Sequence, residues 1–292
     1  MSGDLGQGPS RQSSAAAGLD AELREGLEGM ANGLRLCRCA SRYHTVWAAL
    51  RAVGEGRGLQ SEAPVLDPLL QPLLKDGQHV LIAGAADAKS LAVLHALANG
   101  RSVRFSLADS CPAPLRRATD FASQQGITLR TVATDLAELV TDDPWHLVFV
   151  HYTLSFADRA RRRRILQAVA RGLAAGGSVV CAAKFDAAGA DDAPVDAARR
   201  WLARMHPVFS ARLSGQPQAW ADLEPLLAGY AQEWAQRKAS QPSQSQLEDD
   251  FVSAGLVVRE RLETPRGKNA KPASSLARHR QYSRILVAGR AD

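Results

Sequence analysis

The sequence predicts an α/β fold, in which a mostly parallel sheet is covered by helices on both faces. Five short apolar segments alternate with helical patterns between residues 79 and 183. This alternation favours βαβ units, whose crossovers place helices on the two faces of a parallel sheet. Two further strand patterns, at 256–262 and 282–288, close the chain. The prediction is therefore a mixed sheet of seven strands.

The individual elements follow from apolar spacing and from the residues that end each segment. Leucines three and four residues apart predict a first amphipathic helix. The region from Gly172 to Gly177 ends the helix that precedes the fifth strand and turns the chain into that strand. The predicted strands are 79–84, 103–108, 128–133, 146–151, 177–183, 256–262 and 282–288. The predicted helices are 19–36, 40–53, 89–98, 113–124, 136–141 (short), 158–174 and 244–254, with a short one in the Pro-punctuated stretch 64–75.

We expect three regions along the chain. Residues 1–18 are rich in Gly, Ser, Ala and Gln, which predicts a disordered leader. Residues 19–76 predict a helical lid and connector. Residues 77–292 predict the α/β domain, and within it 185–240 form an insertion of two or three helices after the fifth strand.

Length and composition are those of an ordinary globular protein. The 292 residues can bury a sizeable core, and 46% hydrophobic with 23% charged residues is a common balance. No apolar run approaches the roughly 20 residues that span a bilayer. The first residues also contain no apolar signal-peptide core, so we expect a cytoplasmic location and no membrane partner.

The turn after the first strand has the pattern of a nucleotide-type binding loop. In HVLIAGAADAKSL the apolar run ends at Gly84, small residues follow, and a helical pattern begins at Ser90. Such a turn lets a ligand lie against backbone N–H groups at a helix N-terminus. The fingerprint of a nicotinamide dehydrogenase would place glycines at Ala86 and Lys89, which argues against that class.

Taken in order, these segments resemble the class I S-adenosylmethionine-dependent methyltransferases over roughly residues 77–290. HVLIAGAADA resembles the first glycine-rich motif of that family, HLVFVHYTLSF its fourth strand, and GLAAGGSVVCA its turn into the fifth. The chain departs from the family pattern at Ile82, Ala86 and Ala88, where the family has an acid and two glycines. The resemblance implies a Rossmann-like fold, S-adenosyl-L-methionine as cofactor and S-adenosyl-L-homocysteine as product.

The same resemblance implies roles for two aspartates. Asp109 ends the second strand, where the family places an acid on the ribose hydroxyls, and Asp135 follows the third strand, where the family has an acid on the adenine amino group. From the residues alone, each carboxylate could instead cap the element that follows it. The cofactor site predicted in full is Gly84, Ala85, Ala86, Asp109, Ser110, Asp135, Leu136 and His151.

Catalytic and substrate-binding residues are predicted on two other segments. His151 and Tyr152 lie where the fourth strand leaves the sheet, and ligands of open α/β sheets bind outside the carboxyl ends of strands. His151 is a candidate general base. Tyr43, His44 and Trp47 are candidate substrate contacts on the second helix of the lid. The HYTL sequence lacks the motif of base-directed amino methyltransferases.

These observations predict methyl transfer to an oxygen or nitrogen of a small molecule, in specialised metabolism. The basic loop 264–281 predicts an anionic group on that substrate. One alternative is an RNA or protein methyltransferase, which the basic C-terminus and the arginines at 159 and 161–164 would serve, although nucleic acid is the less favoured partner. Another is a catalytically silent scaffold, and a homodimer through the N-terminal helices stays open.

The four cysteines predict neither a disulfide framework nor a metal site. Cys37 and Cys39 form a C-R-C motif that could suggest a metal, while Cys111 and Cys181 lie far along the chain. No second Cys/His pair at zinc spacing accompanies the motif, so the expectation is four structural thiols and no bound metal.

Overall fold

The structure is a computed structural model, and it describes residues 11–55, 59, 62–185, 193–239, 241–264 and 282–290. Its helices are α1 (Arg11–Leu36), α2 (Tyr43–Ala52), α3 (Ala63–Leu70), α4 (Lys89–Ala98), α5 (Pro112–Gln125), α6 (Arg159–Gly172), α7 (Pro194–Arg212), α8 (Pro217–Ala239) and α9 (Gln244–Ser253). Its strands are β1 (His79–Ala83), β2 (Arg104–Asp109), β3 (Leu129–Ala133), β4 (Trp145–His151), β5 (Leu173–Phe185), β6 (Leu256–Glu263) and β7 (Tyr282–Arg290). None of these helices is long and apolar enough to cross a membrane.

The seven strands form one sheet in the order β3-β2-β1-β4-β5-β7-β6. Strands β1 to β5 pair in parallel, whereas β7 runs antiparallel to both β5 and β6. The order reverses between β1 and β4, which places their carboxyl ends at a topological switch point, where open α/β sheets bind ligands. The predicted mixed seven-stranded α/β fold is confirmed.

The core lies on both faces of the sheet. All five residues of β1 are buried, because helices cover it above and below. One apolar cluster joins the sheet to α6 and α9, and the other joins it to α3, α4 and α5. At the edge, β3 is partly exposed throughout.

Two local predictions differ from the structure, and two others fall partly on residues outside its described part. Helix α1 begins at Arg11, within the stretch 1–18 where a disordered leader is expected, and residues 1–10 are outside the described part, so the leader stays a prediction. The short helix expected at 136–141 is a single 3₁₀ turn, Leu136–Glu138. Strand β5 starts at Leu173, four residues before the predicted start at 177. Leu173 already pairs with Trp145 of β4, and the irregular stretch that contains Gly176 (φ 70°) lies between this pair and the regular ladder. Most of the basic loop, 265–281, lies outside the described residues.

Helices α1, α2, α7 and α8 form a helical subdomain with its own apolar cluster. In α1, Gly26, Gly29 and Gly33 face α2, and a Cβ atom at any of them would lie within 2.3 to 2.8 Å of an α2 atom. The two helices therefore approach more closely than larger side chains would allow. The insertion 185–240 supplies α7 and α8, in agreement with the prediction of a helical insertion.

The arginine run of α6 forms ion pairs with carboxylates of the protein itself. Asp250 of α9 is fully buried, and its carboxylate accepts from Arg159 (3.2 Å), Arg162 (3.1 Å) and Arg163 (2.8 Å). Arg161 lies 3.1 Å from the carboxylate of Asp135. These contacts argue against the arginine run as a nucleic-acid patch, since they fix four of its side chains on carboxylates.

We expect Asp250→Ala to lower the free energy of unfolding by about 3–5 kcal/mol, because the buried guanidinium of Arg162 loses its counter-charge. The matched control is Asp249→Ala, whose side chain is 67% exposed and 3.9 Å from Arg159, and it should cost less than about 1 kcal/mol. Urea denaturation of both variants measures the difference. Equal losses would contradict a buried charge cluster as the link between α6 and α9.

Candidate active site

A cavity of about 390 Å³ opens at the carboxyl edge of β1, β2 and β4. Its wall brings together most residues that the sequence singled out, although they come from segments far apart in the chain. They are Tyr43, His44, Trp47, Gly84, Ala85, Ala86, Asp109, Ser110, Leu136, His151 and Tyr152. Asp135 is not among the described residues that line it.

The loop after β1 needs glycine at one position. Gly84 has φ 79°, and a Cβ there would lie 2.5 Å from Thr153 Oγ1, which donates to the carbonyl of Ala83 at 3.1 Å. Among the described residues, positive φ outside glycine occurs at Arg42, Asn99 and Tyr152. The alanines at 86 and 88 therefore adopt ordinary backbone conformations, and the missing glycines cause no strain.

Asp109 joins the loop after β1 to the loop after β2. Its Oδ2 accepts from the N–H of Ala85 at 3.0 Å, and its Oδ1 accepts from the N–H of Cys111 at 2.7 Å. Burial raises the pKa of this carboxyl, while the two backbone hydrogen bonds act in the opposite direction. Each oxygen keeps a further lone pair, so the carboxylate can still accept hydroxyl hydrogen bonds from a ligand.

Asp135 serves the local structure. It is the N-cap of the 3₁₀ turn, and its Oδ1 accepts from the N–H of Ala137 at 3.0 Å. Its other oxygen pairs with Arg161, which itself reaches the cavity wall. The structure displays the capping role, and a contact of Asp135 with the adenine amino group stays a prediction of the resemblance.

A buried carboxylate lies next to the predicted catalytic pair. Glu62, just before α3, is 3% exposed, and its Oε2 lies 2.8 Å from Nε2 of His151. Its Oε1 accepts from the hydroxyl of Tyr152. A carboxylate on one ring nitrogen fixes the tautomer and orientation of an imidazole, as a general base requires.

Sequence reasoning missed Glu62. It is 89 residues from His151 and lies in a Pro-punctuated connector with no periodic pattern. The available signal was its position before Ala63-Pro64, which predicts a helix start but not the partner of a distant histidine.

Two further features distinguish this end of the cavity. Lys184 of β5 places its Nζ 4.5 Å from the ring centre of Tyr152; burial lowers the pKa of this amine, and the charge of Glu62 raises it. Tyr152 has φ 61°, a left-handed conformation that is uncommon for an aromatic residue. Such backbone conformations concentrate at functional sites.

Helix α2 forms another part of the cavity wall. Tyr43 lies parallel to Trp47 (6.1 Å between ring centres) and to Tyr230 of α8 (6.1 Å). Trp47 Nε1 donates to Asp87 at 3.4 Å. Asp87, in the loop after β1, therefore connects that loop to α2. Burial raises the pKa of both tyrosines, that of Tyr230 to about 12, and both stay neutral phenols.

Both ring nitrogens of His44, which lies in the cavity wall, face other groups of the protein. Its Nε2 lies 3.2 Å from the carbonyl of Ala85, and its Nδ1 lies 3.5 Å from the sulfurs of Cys37 and Cys39. Cys111, at the N-cap of α5, completes this group. Three cysteines that are scattered in the sequence therefore meet in the structure, whereas Cys181 lies buried in β5.

A second cavity, of about 310 Å³, adjoins the first between α2, α7 and α8. The two cavities share five wall residues, Tyr43, Trp47, Phe156, Lys184 and Arg237. The rest of the wall of the second cavity contains Arg204 and three further aromatic residues, Trp201, Tyr230 and Trp234. Glu233 of the same wall pairs with Arg237.

Comparison with solved structures identifies the fold. The mitomycin 7-O-methyltransferase MmcR superposes with a TM-score of 0.51 at 15% identity, over 97% of this chain and 74% of that protein. The pyocyanin biosynthetic protein PhzM (0.49, 16%, 96% and 68%) and the N-methyltransferase NodS of Bradyrhizobium japonicum with S-adenosyl-L-homocysteine (0.48, 15%, 78% and 86%) are similar at lower scores. No protein-family model and no curated protein sequence matches the chain. The chain thus has the Rossmann-like fold of the class I methyltransferases.

We expect Gly84→Ala to destabilise the protein by more than Gly176→Ala. Both glycines have positive φ, but a Cβ at 176 meets nothing within 4 Å, so this control measures the backbone cost alone, on the order of 1 kcal/mol. At 84 the contact with Thr153 adds to that cost. Adding Thr153→Ala to Gly84→Ala should recover part of the loss in urea denaturation; no recovery would contradict the steric explanation.

Proposed function

We propose that this protein is an S-adenosylmethionine-dependent methyltransferase that acts on an oxygen or nitrogen atom of a small molecule. The observation that carries the proposal is the cavity of about 390 Å³ at the switch point of the sheet. Its wall contains the glycine loop, Asp109 and His151, and Glu62 contacts His151 from behind the wall.

The residues present fit the cofactor that the fold implies. Asp109 offers free lone pairs to ribose hydroxyls, and Leu136 with Ala85 and Ala86 provides an apolar wall. The volume of about 390 Å³ lies within the usual range of small-molecule sites, about 300–1,000 Å³. When bound, the cofactor supplies an electrophilic methyl group, and the protein positions the acceptor and excludes water.

His151 is proposed as the general base. With Glu62 accepting from its Nε2–H, the imidazole keeps one basic nitrogen, which takes the proton of the acceptor hydroxyl or amine. Glu62 then stabilises the imidazolium that forms. Tyr152, which donates to the other oxygen of Glu62, positions this carboxylate.

The second cavity suits a planar aromatic substrate. Tyr43, Trp47, Trp201 and Tyr230 present rings to a flat ligand. Arg204 brings a positive charge to the same wall, and this supports the prediction of an anionic group. Recognition of an anionic group by loop 264–281 stays a prediction, as do the homodimer and the place in specialised metabolism.

A macromolecular substrate is less favoured. The second cavity lies between three helices rather than in an open groove. The arginines of α6 form ion pairs with Asp250 and Asp135. The silent-scaffold alternative differs from the enzyme in one measurable property, the binding of the cofactor.

We expect S-adenosyl-L-methionine and S-adenosyl-L-homocysteine to bind with a Kd between about 1 μM and 1 mM, the usual range for enzyme ligands. Asp109→Asn should weaken binding about tenfold, which corresponds to about 1.4 kcal/mol. Asp135→Asn, the matched control, should change it less than about threefold. Isothermal titration calorimetry on folded protein measures all three. Absence of binding by the unchanged protein would favour the scaffold.

Replacing His151 by Ala should lower kcat by about 10²–10⁴-fold, the range for a lost general base, with the Kd of S-adenosyl-L-methionine within about threefold. Glu62→Gln should lower kcat less and alter the pH–rate profile, since the imidazolium loses its counter-charge. The assay detects S-adenosyl-L-homocysteine formed with a panel of phenols and aromatic amines that carry anionic substituents.

The matched control is His206→Ala. This histidine also pairs with a carboxylate, Glu224, at 3.0 Å, but on the exposed face of α7. It should retain the full rate. An unchanged kcat in His151→Ala would refute the base assignment and leave cofactor binding as a separate question.

A further inference from the structure

Cys37, Cys39, His44 and Cys111 each bring one ligand atom to a common point, and the four atoms lie within 4.8 Å of one another. We propose that these residues bind a structural zinc ion, which fastens the N-terminal helices to the loops at the carboxyl edge of the sheet. This site is independent of the methyl-transfer proposal, because it can be measured without cofactor or substrate.

The distances fit tetrahedral zinc. With Zn–S about 2.3 Å and Zn–N about 2.05 Å, tetrahedral angles place the nitrogen about 3.5 Å from each sulfur and two sulfurs about 3.8 Å apart. In the structure Nδ1 of His44 is 3.5 Å from the sulfur of Cys37 and 3.5 Å from that of Cys39. Two of the six distances between ligand atoms therefore already match zinc ligands, and the remaining four are at most 4.8 Å.

The donor set also selects the metal. Three thiolates and one imidazole are the Cys₃His set of structural zinc sites, and soft sulfur ligands disfavour magnesium, calcium and manganese. His44 presents the correct nitrogen, since its Nε2–H can donate to the carbonyl of Ala85 at 3.2 Å and leave Nδ1 unprotonated. A backbone carbonyl in this position is the usual outer partner of a zinc-bound histidine.

The local backbone is shaped to gather these ligands. After α1, the N–H of Arg42 donates to the carbonyl of Cys39 at 2.9 Å, and Arg42 adopts a left-handed φ of 51°. This turn places Cys37, Cys39 and His44 on one side. Cys111 comes from the first residue before α5, where the helix N-terminus favours a thiolate.

Burial indicates a structural ion rather than a catalytic one. Cys37 is 1%, Cys111 2% and His44 7% exposed. Four protein ligands leave no coordination position for substrate or water, which is the arrangement of closed structural sites.

The ion would link parts of the chain that the sheet does not join. His44 contacts Ala85 in the glycine loop, and the N–H of Cys111 donates to Asp109. The side chain of Asn32 adds a second attachment of α1, since it donates to the carbonyl of Ala113 at 3.0 Å. Metal loss is therefore expected to loosen α2 and the loop after β1 together.

The test is the metal content of the full-length protein, purified without chelator, by inductively coupled plasma mass spectrometry. We expect about one zinc per chain, with cobalt(II) replacement giving the absorption of tetrahedral thiolate–cobalt. Cys37→Ser, Cys39→Ser and Cys111→Ser should each lower zinc occupancy at least tenfold. Cys181→Ala, the matched control, removes a buried cysteine outside the cluster and should retain zinc.

A second measurement covers variants that fold poorly. Chelation of the unchanged protein should raise amide hydrogen exchange in residues 37–52 and 84–88, and added zinc should reverse it. A protein that lacks zinc and does not acquire it on addition would overturn the proposal. So would a non-reducing mass that shows a disulfide among these cysteines, because two sulfurs would then be lost as ligands.

Discussion

The carboxylate of Asp109 fixes the relation between the first two strand ends, on which the rest of the site depends. One oxygen holds the N–H of Ala85 and the other the N–H of Cys111. Both hydrogen bonds are made by a largely buried charged acceptor, which makes them stronger than bonds between neutral groups. These two hydrogen bonds hold the loop after β1, the start of α5 and the cysteine–histidine group in fixed positions relative to Asp109.

The second constraint comes from outside the sheet. Glu62 reaches from the connector to His151 and Tyr152, and Asp87 reaches from the glycine loop to Trp47 of the lid. Each contact crosses between the N-terminal helices and the α/β domain. The helical segment is therefore part of the candidate site, and a truncated α/β domain would lack the partner of its own proposed base.

The sheet could be read from the sequence because its strands are short apolar runs with clear boundaries, and helix 89–98 was predicted to the residue. The site was predicted only in part. Gly84 follows β1, and Asp109 and His151 end β2 and β4, so their shared edge is a consequence of topology. The contact of Glu62 with His151, and of Cys111 with Cys37 and Cys39, depends on how a lid docks, and local pattern does not encode that. Asp135 had two roles available, and the structure adds a contact with Arg161 that local pattern does not predict.

The wall shared by the two cavities has an energetic consequence. Tyr43, Trp47, Phe156, Lys184 and Arg237 face both spaces, so a ligand that orders these side chains in one cavity prepares them for the other. Linkage then requires that each ligand raise the affinity for its neighbour by the same factor. In the proposed enzyme, cofactor and acceptor would bind cooperatively, because the first ligand would already have ordered this wall and the second would lose less conformational entropy.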